Sequence, residues 1–149
     1  EWLGRAQAGL KMLQADPNVD PSRLAAIGYC FGGATVMQLV YGGAPVKGVV
    51  SFHGSLPLPP ESQAIPHSAK VLIAHGAADP FLTSDHIVQF KGALDAAGID
   101  WQMMVYGGAQ HSFTNPSANQ YGVKGVQYHK QADQRSWMHM RQFFDELFQ

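Results

Sequence analysis

Gly28-Tyr29-Cys30-Phe31-Gly32-Gly33 is the stretch that decides the reading of this chain. It ends a compact apolar run, residues 24–29 (LAAIGY), and opens a second run, Phe31 to Tyr41, that is apolar or small on nearly every face and is closed by Gly42-Gly43. A strand turning sharply into a buried helix fits this order. Small residues two positions either side of a nucleophilic side chain mark a strained turn that lifts that side chain above the sheet edge. The physics is steric: Gly28 and Gly32 leave room where the flanking chain passes neighbouring backbone, and Gly33 lets the helix approach the sheet. A dinucleotide-binding turn fits worse, because it needs a second glycine where Cys30 stands.

A lone cysteine is most often a small buried hydrophobe. Here the turn places it at a helix N-terminus, where unpaired N–H groups and the helix dipole favour an anion. That setting promotes the thiolate, the reactive form. The backbone N–H of Phe31 is the expected oxyanion donor.

Working outward, Trp2, Leu3, Ala6, Leu10 and Leu13 recur at helical spacing, which predicts a helix over residues 2–14 with one buried face. Strands are expected at 24–29, 47–52 (KGVVSF), 70–75 (KVLIAH) and 101–106, with a Pro-rich loop from Leu56 to Pro66. Ile87, Phe90, Leu94 and Ala97 mark a helix with Ser84 as N-cap and Gly98 as stop. Trp137, Met140, Phe144, Leu147 and Phe148 line one side of a closing helix. Alternating strands and helices imply crossovers, a parallel sheet of about four strands and the α/β class. Functional groups in such sheets gather beyond the carboxyl ends of the strands.

The 149 residues, 46% hydrophobic and 14% charged, suit one globular domain with a real core. A net charge of −1 gives no reason to expect nucleic acid or a membrane surface as partner. No stretch approaches the roughly 20 apolar residues of a membrane span. The opening EWLGRAQAGLKML lacks the pattern of a signal peptide. It also lacks an initiator Met, so preceding residues are expected. One cysteine excludes a disulfide framework within the chain and a cysteine-rich zinc site, and it fits a reducing, cytoplasmic setting.

Two further residues complete a chemistry. Asp79, in Gly76-Ala77-Ala78-Asp79-Pro80, directly follows the third strand, where it can orient a histidine. His111 lies on the glycine-bearing, flexible loop that follows the fourth strand. Nucleophile, acid and base would thus reach one sheet edge, with His111 paired to the thiolate and Asp79 fixing the ring. Asp before proline is otherwise a common turn residue. His53 and His75 end strands beside the site and, with Tyr29, are expected to support it. His67, His86, His129 and His139 share no ligand spacing, so no metal site is expected.

GYCFGG, HGAAD (75–79), YGGAQHSF (106–113) and QADQRSW (131–137) resemble the dienelactone hydrolase family of the α/β-hydrolase superfamily over nearly the whole chain. The cysteine-bearing turn is the specific part. The resemblance implies Cys30 as nucleophile, Asp79 as acid, His111 as base, no cofactor, and a lactone or small ester as substrate. It departs in two places. The well-known dienelactone hydrolases carry an arginine shortly after the histidine that grips a substrate carboxylate, whereas Ser112-Phe113-Thr114-Asn115 stands here, which points to a neutral ester or a different lactone. Family members also have N-terminal strands ahead of residue 1. The expectation is a single truncated domain, 1–149, whose strand 24–29 has an open edge. A missing N-terminal segment or a partner chain would cover that edge. A non-catalytic or redox-sensing α/β-hydrolase relative, with the thiol of Cys30 oxidised reversibly, is the alternative.

Overall fold

The computed structural model describes residues 2–60 and 69–149. Four parallel strands form one sheet in chain order: β1 (Ala25–Tyr29), β2 (Gly48–Phe52), β3 (Lys70–Gly76) and β4 (Trp101–Tyr106). Around it lie α1 (Trp2–Ala15), α2 (Phe31–Tyr41), α3 (Ser84–Ala96) and α4 (Lys130–Leu147). The expected α/β class and parallel sheet are those observed. The Pro-rich loop falls in part outside the described residues, as does His67.

The two-residue period of the strands separates two cores. Val49, Val71 and Ile73 pack with Val36, Met37 and Val40 of α2 and with Phe90 and Leu94 of α3. Val50, Phe52, Leu72 and Ala74 pack with Ala132, Met140 and Phe143 of α4. Every residue of β2 is buried, which is why GVVSF reads as a continuous run rather than an alternating one. Tyr29 pairs with Phe52, and Phe52 with Ala74, so the carboxyl ends of the strands open onto a common edge. β1 is an edge strand, and Ile27 and Tyr29 stay 42% and 40% exposed.

Three local expectations are corrected. α1 buries none of its residues completely, and Leu10 packs partly against the core, because the helix lies mainly on α2. The N-cap of α3 is Thr83, whose hydroxyl accepts from the N–H of His86, and Ser84 is the first helical residue. The buried line of α4 is Ala132, Ser136, Met140 and Phe143. Trp137 sits one position off that line and is 49% exposed.

Candidate active site

Cys30 sits between β1 and α2 with φ 53° and ψ −116°, in the left-handed half of the map that a side chain disfavours. Its N–H donates to the carbonyl of Phe52 (3.0 Å), which ties the turn to β2. A Cβ on Gly28 would run into the carbonyl of Gly32. A Cβ on Gly33 would come within 2.8 Å of the Cα of Gly54. Gly32 itself has open space around it, so the crowding once expected there falls on Gly28 and Gly33 instead. The thiol is exposed. Phe31 opens α2, so its N–H belongs to the first turn, whose amides lack intrahelical partners.

Asp79 follows β3 and serves two groups. Oδ1 accepts from the N–H of Phe81 (2.9 Å), which makes the turn that Asp-Pro suggests, and Oδ2 lies 2.8 Å from Nδ1 of His111. One carboxylate thus closes the turn with one oxygen and meets the imidazole with the other. Nε2 of His111 lies 3.1 Å from Sγ of Cys30. Burial pushes the Asp79 carboxyl up, but the hydrogen bonds from His111 and Phe81 outweigh it and leave the group below its usual range. The bond to Asp79 raises His111; burial opposes this and the contact with Cys30 adds to it.

The loop carrying His111 is pinned at several points, which corrects the expectation of a loosely held segment. The N–H of His111 donates to Gly125, its carbonyl accepts from Gln127, and Ala78 donates to Ala109. Gly76 backs directly onto Ala109, and Gly125, at φ 87°, backs onto Pro80; neither leaves room for a Cβ.

Tyr29 stacks on Phe52 with ring centroids 4.6 Å apart. His53 is buried at φ 38°. Its Nε2 lies 2.8 Å from Oγ1 of Thr114, its ring meets His111 edge to face, and its Nδ1 has no hydrogen-bond partner among the described residues. Burial, then the charge of His111, lowers His53 to about 4. Burial also lowers His75. Burial thus holds His53 and His75 below the ordinary imidazole range, while the bond to Asp79 holds His111 above it. Cys30, His53 and Ser112 all carry positive φ, so backbone strain collects around this edge.

Phe81 and Thr114 escaped the sequence reading. The ring of Phe81 stands 5.1 Å from that of His111 at 87°, a contact no local pattern announces. Among the described residues, no cluster of three His, Cys, Asp or Glu could hold a metal ion, and no helix is long and apolar enough to cross a membrane.

The chain is similar to known proteins along its length. A protein of Caenorhabditis elegans of uncharacterized function is 31% identical over 97% of this chain and 92% of its own length. A Yersinia pestis protein assigned by name to carboxymethylenebutenolidase is 29% identical over 85% of this chain. A dienelactone hydrolase-like promiscuous phosphotriesterase from metagenomic libraries superposes with a TM-score of 0.91 at 42% identity, over 99% of this chain. The chain spans 48% of the Yersinia protein and 62% of the phosphotriesterase. The sequence profile of the dienelactone hydrolase family matches residues 1–148, and the chain belongs to that family.

Proposed function

We propose that this protein hydrolyses lactones or small carboxylic esters through a thioester formed on Cys30. One observation carries the reading: a continuous relay from Sγ of Cys30 to Nε2 of His111 (3.1 Å) and from Nδ1 to Oδ2 of Asp79 (2.8 Å). Family membership and the carboxymethylenebutenolidase names of relatives support it.

His111 draws the thiol proton onto Nε2, and Asp79 holds the resulting imidazolium. Sγ attacks the ester carbon, forming an S–C bond, while the N–H of Phe31 donates to the developing oxyanion. The C–O bond then breaks, and His111 gives its proton to the leaving alkoxide. Water, deprotonated by His111, cleaves the thioester to release the acid and restore the thiol. The chemistry needs no cofactor, and the free thiol suits a reducing, cytoplasmic setting.

Turnover of an activated ester by the protein and by Cys30→Ala tests this. Loss of at least about a thousandfold is expected in the variant. Wild-type turnover that survives the substitution removes Cys30 from the mechanism. Reversible oxidation of Cys30 in a protein without ester turnover would instead favour a redox sensor.

A further inference from the structure

A cleft of about 410 Å³ opens beside the relay, lined by residues 55–57, 81–83 and His86. Its size lies in the range of small-molecule sites, roughly 300–1,000 Å³. Its walls come from the loops after β2 and β3 and from the first turn of α3, on the same edge of the sheet as Cys30, Asp79 and His111.

Phe81 joins the cleft to the relay. Its N–H is held by Oδ1 of Asp79, and its ring stands edge-on to His111, 5.1 Å away. The same ring forms a wall of the cleft and is 56% exposed. A large aromatic ring left half in water at the mouth of a cavity gains by being covered with an apolar group. Leu56, Pro57 and Leu82 continue that apolar surface. His86 turns Nε2 to the carbonyl of Leu56 (2.7 Å), which fastens α3 to the opposite wall. Among the described residues, no Lys, Arg, Asp or Glu lines the cleft.

The chemistry sets which part of an ester lies here. The leaving oxygen must come within hydrogen-bond reach of His111 to take its proton. Phe81 touches the imidazole, so the cleft meets the relay at His111, the group that delivers the proton. We infer that this cleft binds the alcohol portion of the substrate, and that the alcohol is uncharged and apolar. The inference rests on the ester-hydrolase reading above and adds the class of ester.

The experiment measures kcat/KM, which reports formation of the acyl-enzyme, for three sets of substrates. Methyl, propyl and butyl acetate vary the alcohol. Methyl acetate, butanoate and pentanoate vary the acid. The acetate ester of glycolate puts a carboxylate on the alcohol. A fully buried methylene is worth about fourfold. In an open cleft, butyl acetate should exceed methyl acetate by about tenfold, and the glycolate ester should fall at least tenfold below butyl acetate. Phe81→Ala should flatten the alcohol series and leave the slope of the acid series unchanged; Phe81→Leu should keep part of the alcohol preference. Phe81 is exposed, so neither change threatens the fold.

A flat alcohol series in the wild type, a preference that Phe81→Ala leaves intact, a slope altered in the acid series instead, or good turnover of the charged alcohol would each overturn the assignment. Cys30→Ala, run in parallel, separates the two levels. Thiol-dependent turnover with a flat alcohol series removes the cleft alone. Thiol-independent turnover, or none, removes the mechanism and the cleft with it.

Discussion

The imidazoles of His53 and His111 meet edge to face with centroids 5.3 Å apart, yet their surroundings drive their proton affinities in opposite directions. His53 is enclosed, and its neighbour's charge adds to the cost of protonating it. His111 has the carboxylate of Asp79 to receive its charge. Environments that separate two chemically identical groups in this way are how a site assigns proton-handling roles.

Ring-proton NMR titration should place His111 above 6.5 and His53 near 4. Asp79→Asn removes the carboxylate whose hydrogen bond does most to raise His111, and should lower the His111 midpoint. An unchanged midpoint for His111 in that variant would deny Asp79 its orienting role.

Stability should fall in acid partly through His53. Its folded value lies below its unfolded value of 6.5, so the unfolded chain takes up a proton first as pH drops. Its contribution is therefore present above 6.5 and is lost as pH falls toward 4, at about 3 kcal/mol. His75 acts in the same direction. His111 opposes both, because its raised value contributes stability below 6.5 that is lost as pH rises through the folded value. Asn tolerates positive φ, so His53→Asn should make urea-unfolding free energies less steep between pH 6.5 and 4.5. Equal slopes in the two proteins would count against a neutral, buried His53.

The turn at Cys30 predicts an ordered series. Gly28→Ala forces a Cβ into the Gly32 carbonyl and should cost about 3 kcal/mol or more, and Gly33→Ala about 1–3 kcal/mol. Gly32→Ala meets open space inside the first turn of a helix and should be neutral or stabilising by up to about 1 kcal/mol. Denaturant midpoints measure all three, and a destabilised Gly32→Ala would contradict the observed crowding.

At the start of α3, Thr83→Ala should cost about 1 kcal/mol by removing the hydroxyl that accepts from His86. Ser84→Ala should change stability by less than about 0.5 kcal/mol. The reverse order in thermal unfolding would return the cap to Ser84.

Much of this edge of the sheet was legible residue by residue. The Cys30 turn declares itself within six residues, because glycine marks backbone crowding locally. Asp79 and His111 follow strands in the sequence as they do in the fold. The sequence does not separate Thr83 from Ser84 as the cap of α3, because both carry the same chemistry and only the backbone angles distinguish cap from first turn. Trp137 was misplaced because adjacent helical positions differ by about 100° around the axis, which a short apolar pattern resolves poorly.

From sequence alone came the order of elements, the parallel sheet, and the placing of a thiol, a carboxylate and an imidazole at strand ends. These follow from hydrophobic period and glycine sterics, which act between near neighbours. Tertiary structure decided which ring nitrogen of His111 faces which partner, that His53 is sealed against Thr114 across 61 positions of chain, and that Phe81 walls a cleft beside the imidazole. Those relationships depend on how the sheet register and the pinned loops bring distant segments together, and no local pattern carries that information.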